Sequence, residues 1–412
     1  MQMPNVQTDG DRVLADLACL RRLGEYKTGV HRPTLSPEHV QSMQWLLGKL
    51  PEARLDGAID GIGNVFGTSQ AHGATLLAGS HLESQNHAGW LDGPLGVVYA
   101  LEAARVINGA PGFADRSVEV VAWCDEEGHF TSMLGSRSYA RKLAETEIDG
   151  LADIDTGVAL RDALAAAGLA GRERLAVEPG RHVGYLEAHI EQGDWLETKA
   201  LKIGIVTSIV AIWQYRITFD GVQNHAGTTR MAIRKDAGLA AARMCVAIDG
   251  ALPAVAGPRS VWTTGRLSLF PGAPSIIPGR AEMLFQFRDD DEAVLARMEH
   301  CLEALVRNAD ANGPCRVRLE MLRKNTPARM SDPFQNALET AAQQHAPGRF
   351  VRMPSGAIHD AQVLSTQMPA AMMFVPSIGG ISHHWTENTS DDDIVLGAQV
   401  FATWAAMVLA GA

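Results

Sequence analysis

The stretch 78–96, AGSHLESQNHAGWLDGPLG, constrains this 412-residue chain more than any other. The apolar run Ala74–Ala78 ahead of it reads as a buried strand, and Val97–Ile107 behind it as a helix. The glycine-rich loop between them therefore sits at the carboxyl end of a strand, where open α/β sheets place their ligands. It carries His81, Glu83, His87 and Asp92, side chains of the kinds that hold divalent metal. Taken alone, these four read equally well as loop polars spaced by glycines.

Alternating strand and helix signals continue on both sides of the loop. Asp11–Tyr26 has helical apolar spacing through Val13, Leu14, Leu17, Leu20 and Leu23, and Ser36-Pro37-Glu38 announces a second helix. Asn64–Gly67, Thr75–Gly79 and Val118–Trp123 read as strands, the last running into Asp125-Glu126-Glu127-Gly128. From Trp213 the texture changes. Trp213–Phe219 alternates, Arg230–Asp249 and Asp290–Asn308 are helical, and Ser260–Leu269, Arg280–Arg288 and Arg316–Leu322 read as strands. Near Thr326 the first texture returns, with a helix at Pro333–His345, a buried strand at Ala370–Val375 and a terminal helix. The pattern predicts an α/β fold: a mostly parallel sheet built from 1–211 plus 326–412, interrupted by an α+β domain at 212–325.

Charge and composition exclude several partners. A formal net charge of −11 without a basic stripe opposes nucleic-acid binding. Ile394–Ala412 is uncharged and long enough to resemble a membrane span. Gln399, Thr403 and small residues dilute it, no basic flank anchors it, and Asp391–Asp393 suit a helix N-terminus, so a buried helix is predicted. The N-terminus lacks the basic and apolar regions of a signal peptide. Five scattered cysteines (Cys19, Cys124, Cys245, Cys301, Cys315) without a CxxC pair suit reduced thiols in the cytoplasm.

Acidic and imidazole groups recur at the ends of four segments: the loop from His81 to Asp92, Asp125-Glu126-Glu127, LEAHIEQG at 186–193, and ISHHWTE at 381–387. Burying so many carboxylates without cations is costly. Divalent metals resolve that cost, and imidazole with carboxylate suits zinc, manganese, cobalt or nickel. Asp92 alone could bridge two ions about 3.5–4 Å apart.

The ordered set GSHLES, LDGPLGV, DEEG with LGSR, HIEQG, NHAGTT, IIPG with FRDD, SGAIHDA, and GGISH with Glu387 runs nearly end to end. It resembles the amidase branch of the M20 metallopeptidase-like family, the hydantoinase/carbamoylase group. The resemblance implies one ion on His81, Asp92 and His189 and a second on Asp92, Glu127 and His383, with Glu126 as the general base. His384 is the alternative to His383, and motif alignment favours His383. Gln192, Ser275, Arg288 and His359 fall at substrate-contact positions, Arg288 where a guanidinium fork grips a carboxylate. His225 falls where the family stabilises the transition state. The inserted domain is implied to be a lid and a homodimer surface. The implied activity is metal-dependent hydrolysis of a linear C–N bond, a carbamoyl or ureido group on a small carboxylate. His189 and HIEQG disfavour the aminoacylase and dipeptidase branches, and the intact ligands and base disfavour an inactive binding homologue. Five positions depart from the pattern: Glu83 for aspartate, Trp90 for a polar residue, Ser275 for asparagine, Arg230 for proline and Ile358 for glycine. For Glu83, the expectation is a preserved hydrogen bond to His81 in a shifted geometry.

Overall fold

TLLAGSH at 75–81 and SVEVVAW at 117–123 are mostly apolar, and both strands are buried along their whole length. Runs of this kind belong at the centre of a sheet covered on both faces. In the computed structural model, which describes residues 6–411, they lie side by side and parallel, Thr75 opposite Ser117 and His81 opposite Trp123. Residues 1–5 of the N-terminal stretch read above for targeting, and residue 412 of the terminal apolar stretch, lie outside the described residues. The chain divides into two compact units, 1–207 with 329–412, and 208–328.

The first unit is built on a nine-stranded mixed sheet. Its centre is parallel, in the order Ala370–Val375, His182–Ile190, Thr75–His81, Ser117–Trp123. Antiparallel strands flank this centre: Ile203–Ile209 beside Ala370–Val375, and Val65–Thr68 then Asp56–Ile59 beyond Ser117–Trp123. The fold class expected from the sequence is thus found, with the four central strands paired in parallel.

Helices cover the sheet. Pro94–Ile107 is buried on nearly every side, and Asp391–Gly411 packs against it and against Asp332–His345. Phe401, Trp404 and Leu409 of the terminal helix are inaccessible, and the Trp404 indole donates to the Phe334 carbonyl at 2.8 Å. The apolar C-terminal stretch is therefore a core helix. A second helical segment, Ala237–Ala254, is also long and apolar enough to span a bilayer, and the helix Ala237–Ala251 within it packs on the sheet of the second unit.

That unit has a four-stranded antiparallel sheet, Val261–Phe270, Arg280–Asp289, Ala211–Asp220 and Arg316–Lys324 in spatial order. Trp213, Tyr215, Ile217 and Phe219 alternate inward, as period-two spacing requires. They form one core with Met283, Phe285, Phe287 and the helix residues Met244, Ile248, Leu295, Met298 and Leu302. One helix begins later than its composition predicts, at Ala237 rather than Arg230. Asp236 caps it by accepting from the Leu239 amide at 3.0 Å, while the preceding Met231–Ile233 form a separate 3-10 turn and Arg234 reaches back to the Thr229 carbonyl at 3.0 Å.

Close packing at the sheet centre makes a stability prediction. A Cβ on Gly79 would fall on the Val121 carbonyl oxygen, whereas Gly48, on the exposed face of Pro37–Lys49, has nothing within 4 Å. Gly79→Ala should destabilise by about 1–3 kcal/mol through overpacking. Gly48→Ala should stabilise by about 0.5 kcal/mol through helix propensity. Urea denaturation of the two variants measures both signs.

Candidate metal centre

The carboxyl ends of the four parallel strands bring the polar motifs together. His81 ends its strand, Asp125–Glu127 follow Trp123, His189 is next to last in His182–Ile190, and the segment after Val375 carries His383. Asp92 comes from the loop before Pro94–Ile107. Gly93 at φ 85° turns the chain there, in a space that a Cβ would share with the His81 ring.

Two triads result, His81–Asp92–His189 and Asp92–Glu127–His383, each with its donor atoms within 4.8 Å of one another. Asp92 belongs to both. Its Oδ1 lies 3.0 Å from His189 Nε2 and 3.6 Å from His81 Nε2, and its Oδ2 lies 3.3 Å from His383 Nε2. Glu127 Oε2 is 3.5 Å from the same His383 nitrogen. Two donors bound tetrahedrally to one ion at about 2.0–2.2 Å stand about 3.4 Å apart, so this spacing fits a divalent cation. The tautomers fit too. His189 Nδ1 donates to the Ile190 carbonyl at 2.9 Å and His81 Nδ1 to the Glu83 carbonyl at 3.1 Å, which turns both Nε2 lone pairs toward Asp92. Buried lone pairs facing a carboxylate repel it unless a cation or proton lies between. The cluster has the donors and the spacing to hold divalent metal.

Without metal, protons take that place. The Asp92 hydrogen bond raises His383 to about 9. Burial opposes ionisation of His81, yet Asp92, Glu83 and Glu126 raise it well above the usual imidazole range. Burial likewise opposes ionisation of Asp92, and its three histidine partners hold it well below the usual carboxylate range.

Glu126 stands beside the first triad, its Oε2 3.8 Å from His81 Nε2. Burial raises its carboxyl well above the usual range; His81 opposes the shift, and Glu127, Asp360 and Asp92 reinforce it. The turn presenting Glu126 and Glu127 is held by Asp125, which accepts from the Thr34 hydroxyl and the amides of His129, Phe130 and Thr131 at 2.7–2.9 Å. Glu83 departs from its expected geometry. Its main-chain carbonyl holds His81, its carboxylate is 3.7 Å from the ring, and that carboxylate instead accepts from the Glu126 amide at 2.6 Å. The extra methylene carries the acid past the ligand to the peptide of the neighbouring glutamate.

Of the other sequence candidates, Gln192 donates to Asp92 Oδ2 at 3.0 Å and to the Ser382 hydroxyl at 3.2 Å. His359 is buried behind the ligands, 2.9 Å from the Ser355 hydroxyl, with its ring 4.6 Å edge-on from His189. His384 belongs to neither triad; it contacts Thr386 at 2.7 Å and packs on Trp385. His225, Ser275 and Arg288 belong to the unit 208–328. His225 is exposed, and its Nδ1 accepts from the amides of Gly227 and Thr228 at 3.0 and 3.1 Å, leaving Nε2 as a donor. The Ser275 carbonyl accepts from Ala226 at 2.9 Å, and Arg288 is a partly buried strand residue opposite Ile212.

Two residues were not given roles from the sequence. Buried Glu387 accepts from the Asp92 amide at 3.1 Å, the Leu91 amide at 3.3 Å and the Ser382 hydroxyl at 2.9 Å, tying the Asp92 loop to the His383 loop. Burial and Asp92 raise its carboxyl to about 8. Its place at the end of ISHHWTE was the available signal. Gln85 braces Glu127 through its Nε2 at 3.1 Å, and nothing in its local pattern marks it.

A metal ion must displace the His383 proton. Affinity for zinc or manganese should therefore rise with pH up to about 9, with proton release on binding. Titration calorimetry in buffers of different ionisation enthalpy measures that release. At 100 Kd of free metal the fold should gain about 2.7 kcal/mol, read as a rise in Tm that a chelator reverses.

Known proteins share this architecture. Residues 67–407 match the model of peptidase family M20/M25/M40. An N-carbamoyl-L-amino-acid amidohydrolase of Paenarthrobacter aurescens is 32% identical over 404 residues, covering 96% of this chain and 97% of that protein. The allantoate amidohydrolase of Escherichia coli is 30% identical, covering 91% and 92%. A crystal structure of a hydantoinase/carbamoylase family amidase from Burkholderia phymatum superposes with a TM-score of 0.90 at 43% identity, covering 99% of each chain. The chain belongs to the M20/M25/M40 peptidase family, in its hydantoinase/carbamoylase group, and is a metal-dependent amidohydrolase of linear C–N bonds.

Proposed function

We propose that the enzyme hydrolyses the ureido C–N bond of a small N-carbamoyl carboxylate, with an N-carbamoyl amino acid as the type substrate, and that it holds two divalent ions. The observation that carries the reading is Asp92, which offers one oxygen to each triad while Glu126 stands beside the first. Relatives named for N-carbamoyl amino acids and for allantoate, both ureido compounds, support the substrate class. His81, Asp92 and His189 would hold one ion and Asp92, Glu127 and His383 the other; zinc, manganese, cobalt and nickel suit this donor set. Bound there, the ions would polarise the scissile carbonyl and acidify a water.

The protein's own groups do the remaining work in this proposal. Glu126 takes the proton from water and returns it to the leaving nitrogen, and burial, which raises its carboxyl, helps it hold that proton between the two transfers. Gln192 Oε1 is buried without a hydrogen-bond partner and offers an acceptor for a ureido N–H. His359 supports the site through the His189 ring. His225 Nε2 supplies a donor for the developing oxyanion, and Arg288, with Ser275, recognises the substrate carboxylate. Loss of the carbamoyl group yields ammonia, carbon dioxide and the amine.

The insertion, 212–325, serves in this reading as the lid and the homodimer surface. Supporting that, Val261, Leu267, Leu269 and Phe270 are exposed on one strand at the end of the sheet order, an arrangement that invites pairing with another chain. A cytoplasmic setting accords with five free cysteines.

Glu126→Gln should keep its metal and lose about 10²–10⁴ in kcat, whereas Glu127→Gln should lose metal. Metal analysis beside kinetics separates them, and equal metal loss would reverse the two roles. Arg288→Lys should mainly raise KM, because the bidentate fork is lost. A panel of N-carbamoyl amino acids, N-acetyl amino acids and allantoate tests the substrate class. Preference for the N-acetyl compounds would overturn it.

A further inference from the structure

His383 is held at φ 53°, a left-handed conformation uncommon outside glycine. A side chain in that state keeps its place only where its surroundings over-determine it. On one side Ser382 and Glu387 restrain the loop. On the other lies a short hairpin near the start of the chain, Glu25–Tyr26 paired with Gly29–Val30.

That hairpin grips both loops that meet at Asp92. Val30 and Ala88 exchange main-chain hydrogen bonds at 2.9 Å, which ties the hairpin to the loop carrying Asp92. The Thr28 hydroxyl donates to the carbonyl of Trp385, two residues beyond His383. Gly29 lies so close that a Cβ would collide with Trp385 Cα and the Ala88 carbonyl. Lys27 Nζ sits 3.6 Å from the centre of the Trp385 ring, and the Tyr26 ring meets the same indole edge-on at 5.8 Å. Lys27 is itself at φ 54°, in a two-residue turn that glycine or asparagine would form at less cost. A turn that only reversed the chain has no need of lysine there. The strained position delivers an ammonium to the indole face, a favourable contact.

We propose that this hairpin positions His383 against Asp92, with Lys27 and Trp385 as positioning residues that set affinity for the ion held by Asp92, Glu127 and His383. The proposal rests on the two-ion reading above. It makes the 25–30 hairpin a determinant of the occupancy of one metal position.

The test uses the full chain stripped of metal and titrated with Co²⁺, followed by visible absorption and calorimetry. Lys27→Gly relieves the turn, so the Tm of the metal-free protein should not fall. The first ion should bind as in the unsubstituted protein, while Kd for the second should rise about tenfold. Lys27→Arg, which keeps a cation over the ring, should restore the second affinity. Unchanged second-ion affinity in Lys27→Gly, or equal weakening of both ions, would overturn the hairpin's role. A single Co²⁺ bound by the unsubstituted protein would instead sink the two-ion reading and the proposal with it.

Discussion

One buried carboxylate organises the centre. Asp92 accepts contacts from three imidazoles and from Gln192, and its amide is held by Glu387. A carboxylate this deeply buried is tolerable only with compensating positive charge, whether as protonated histidines or as metal. The surrounding fold follows from that requirement. Four strands must end in one place to bring the imidazoles there, and glycine must follow Asp92 so that His81 can approach. The result is a rigid receptor for positive charge rather than a flexible polar loop.

The same economy extends one layer outward. Glu83 accepts from the Glu126 amide and stands 3.5 Å from His39 Nε2, while His39 Nδ1 accepts from Leu35 at 3.0 Å. Arg32 is wholly buried and donates to the carbonyls of Leu82, Leu20 and Leu23. Burial lowers its guanidinium to about 10, and the Glu83 charge opposes that shift. Glu83 thus offsets a buried cation while fixing the peptide of the proposed base. Its replacement by a neutral side chain would disturb both.

Much of this was legible in the sequence because it is periodic or local. Trp213–Phe219 alternates visibly, Ser36-Pro37 marks a helix start by its own chemistry, and the acidic and imidazole runs sit where strand signals stop. What escaped depends on distant contacts. Ile203–Ile209 and Phe350–Ser355 become strands by pairing with each other, which no local window contains. Likewise, the destination of the Glu83 carboxylate depends on where the 124–127 turn lies across the sheet. Glu387 and Gln85 gain their roles only when loops more than forty residues apart come into register.

The order of the central strands carries a consequence for biosynthesis. Ala370–Val375 lies between His182–Ile190 and Ile203–Ile209, so the middle of the sheet is closed by a strand among the last to leave the ribosome. Until then, two apolar strand edges flank an open slot, and the metal cluster lacks His383. Such non-local closure is slow, and the nascent chain must wait with sticky edges unpaired. Truncation before residue 370 removes the strand that fills that slot.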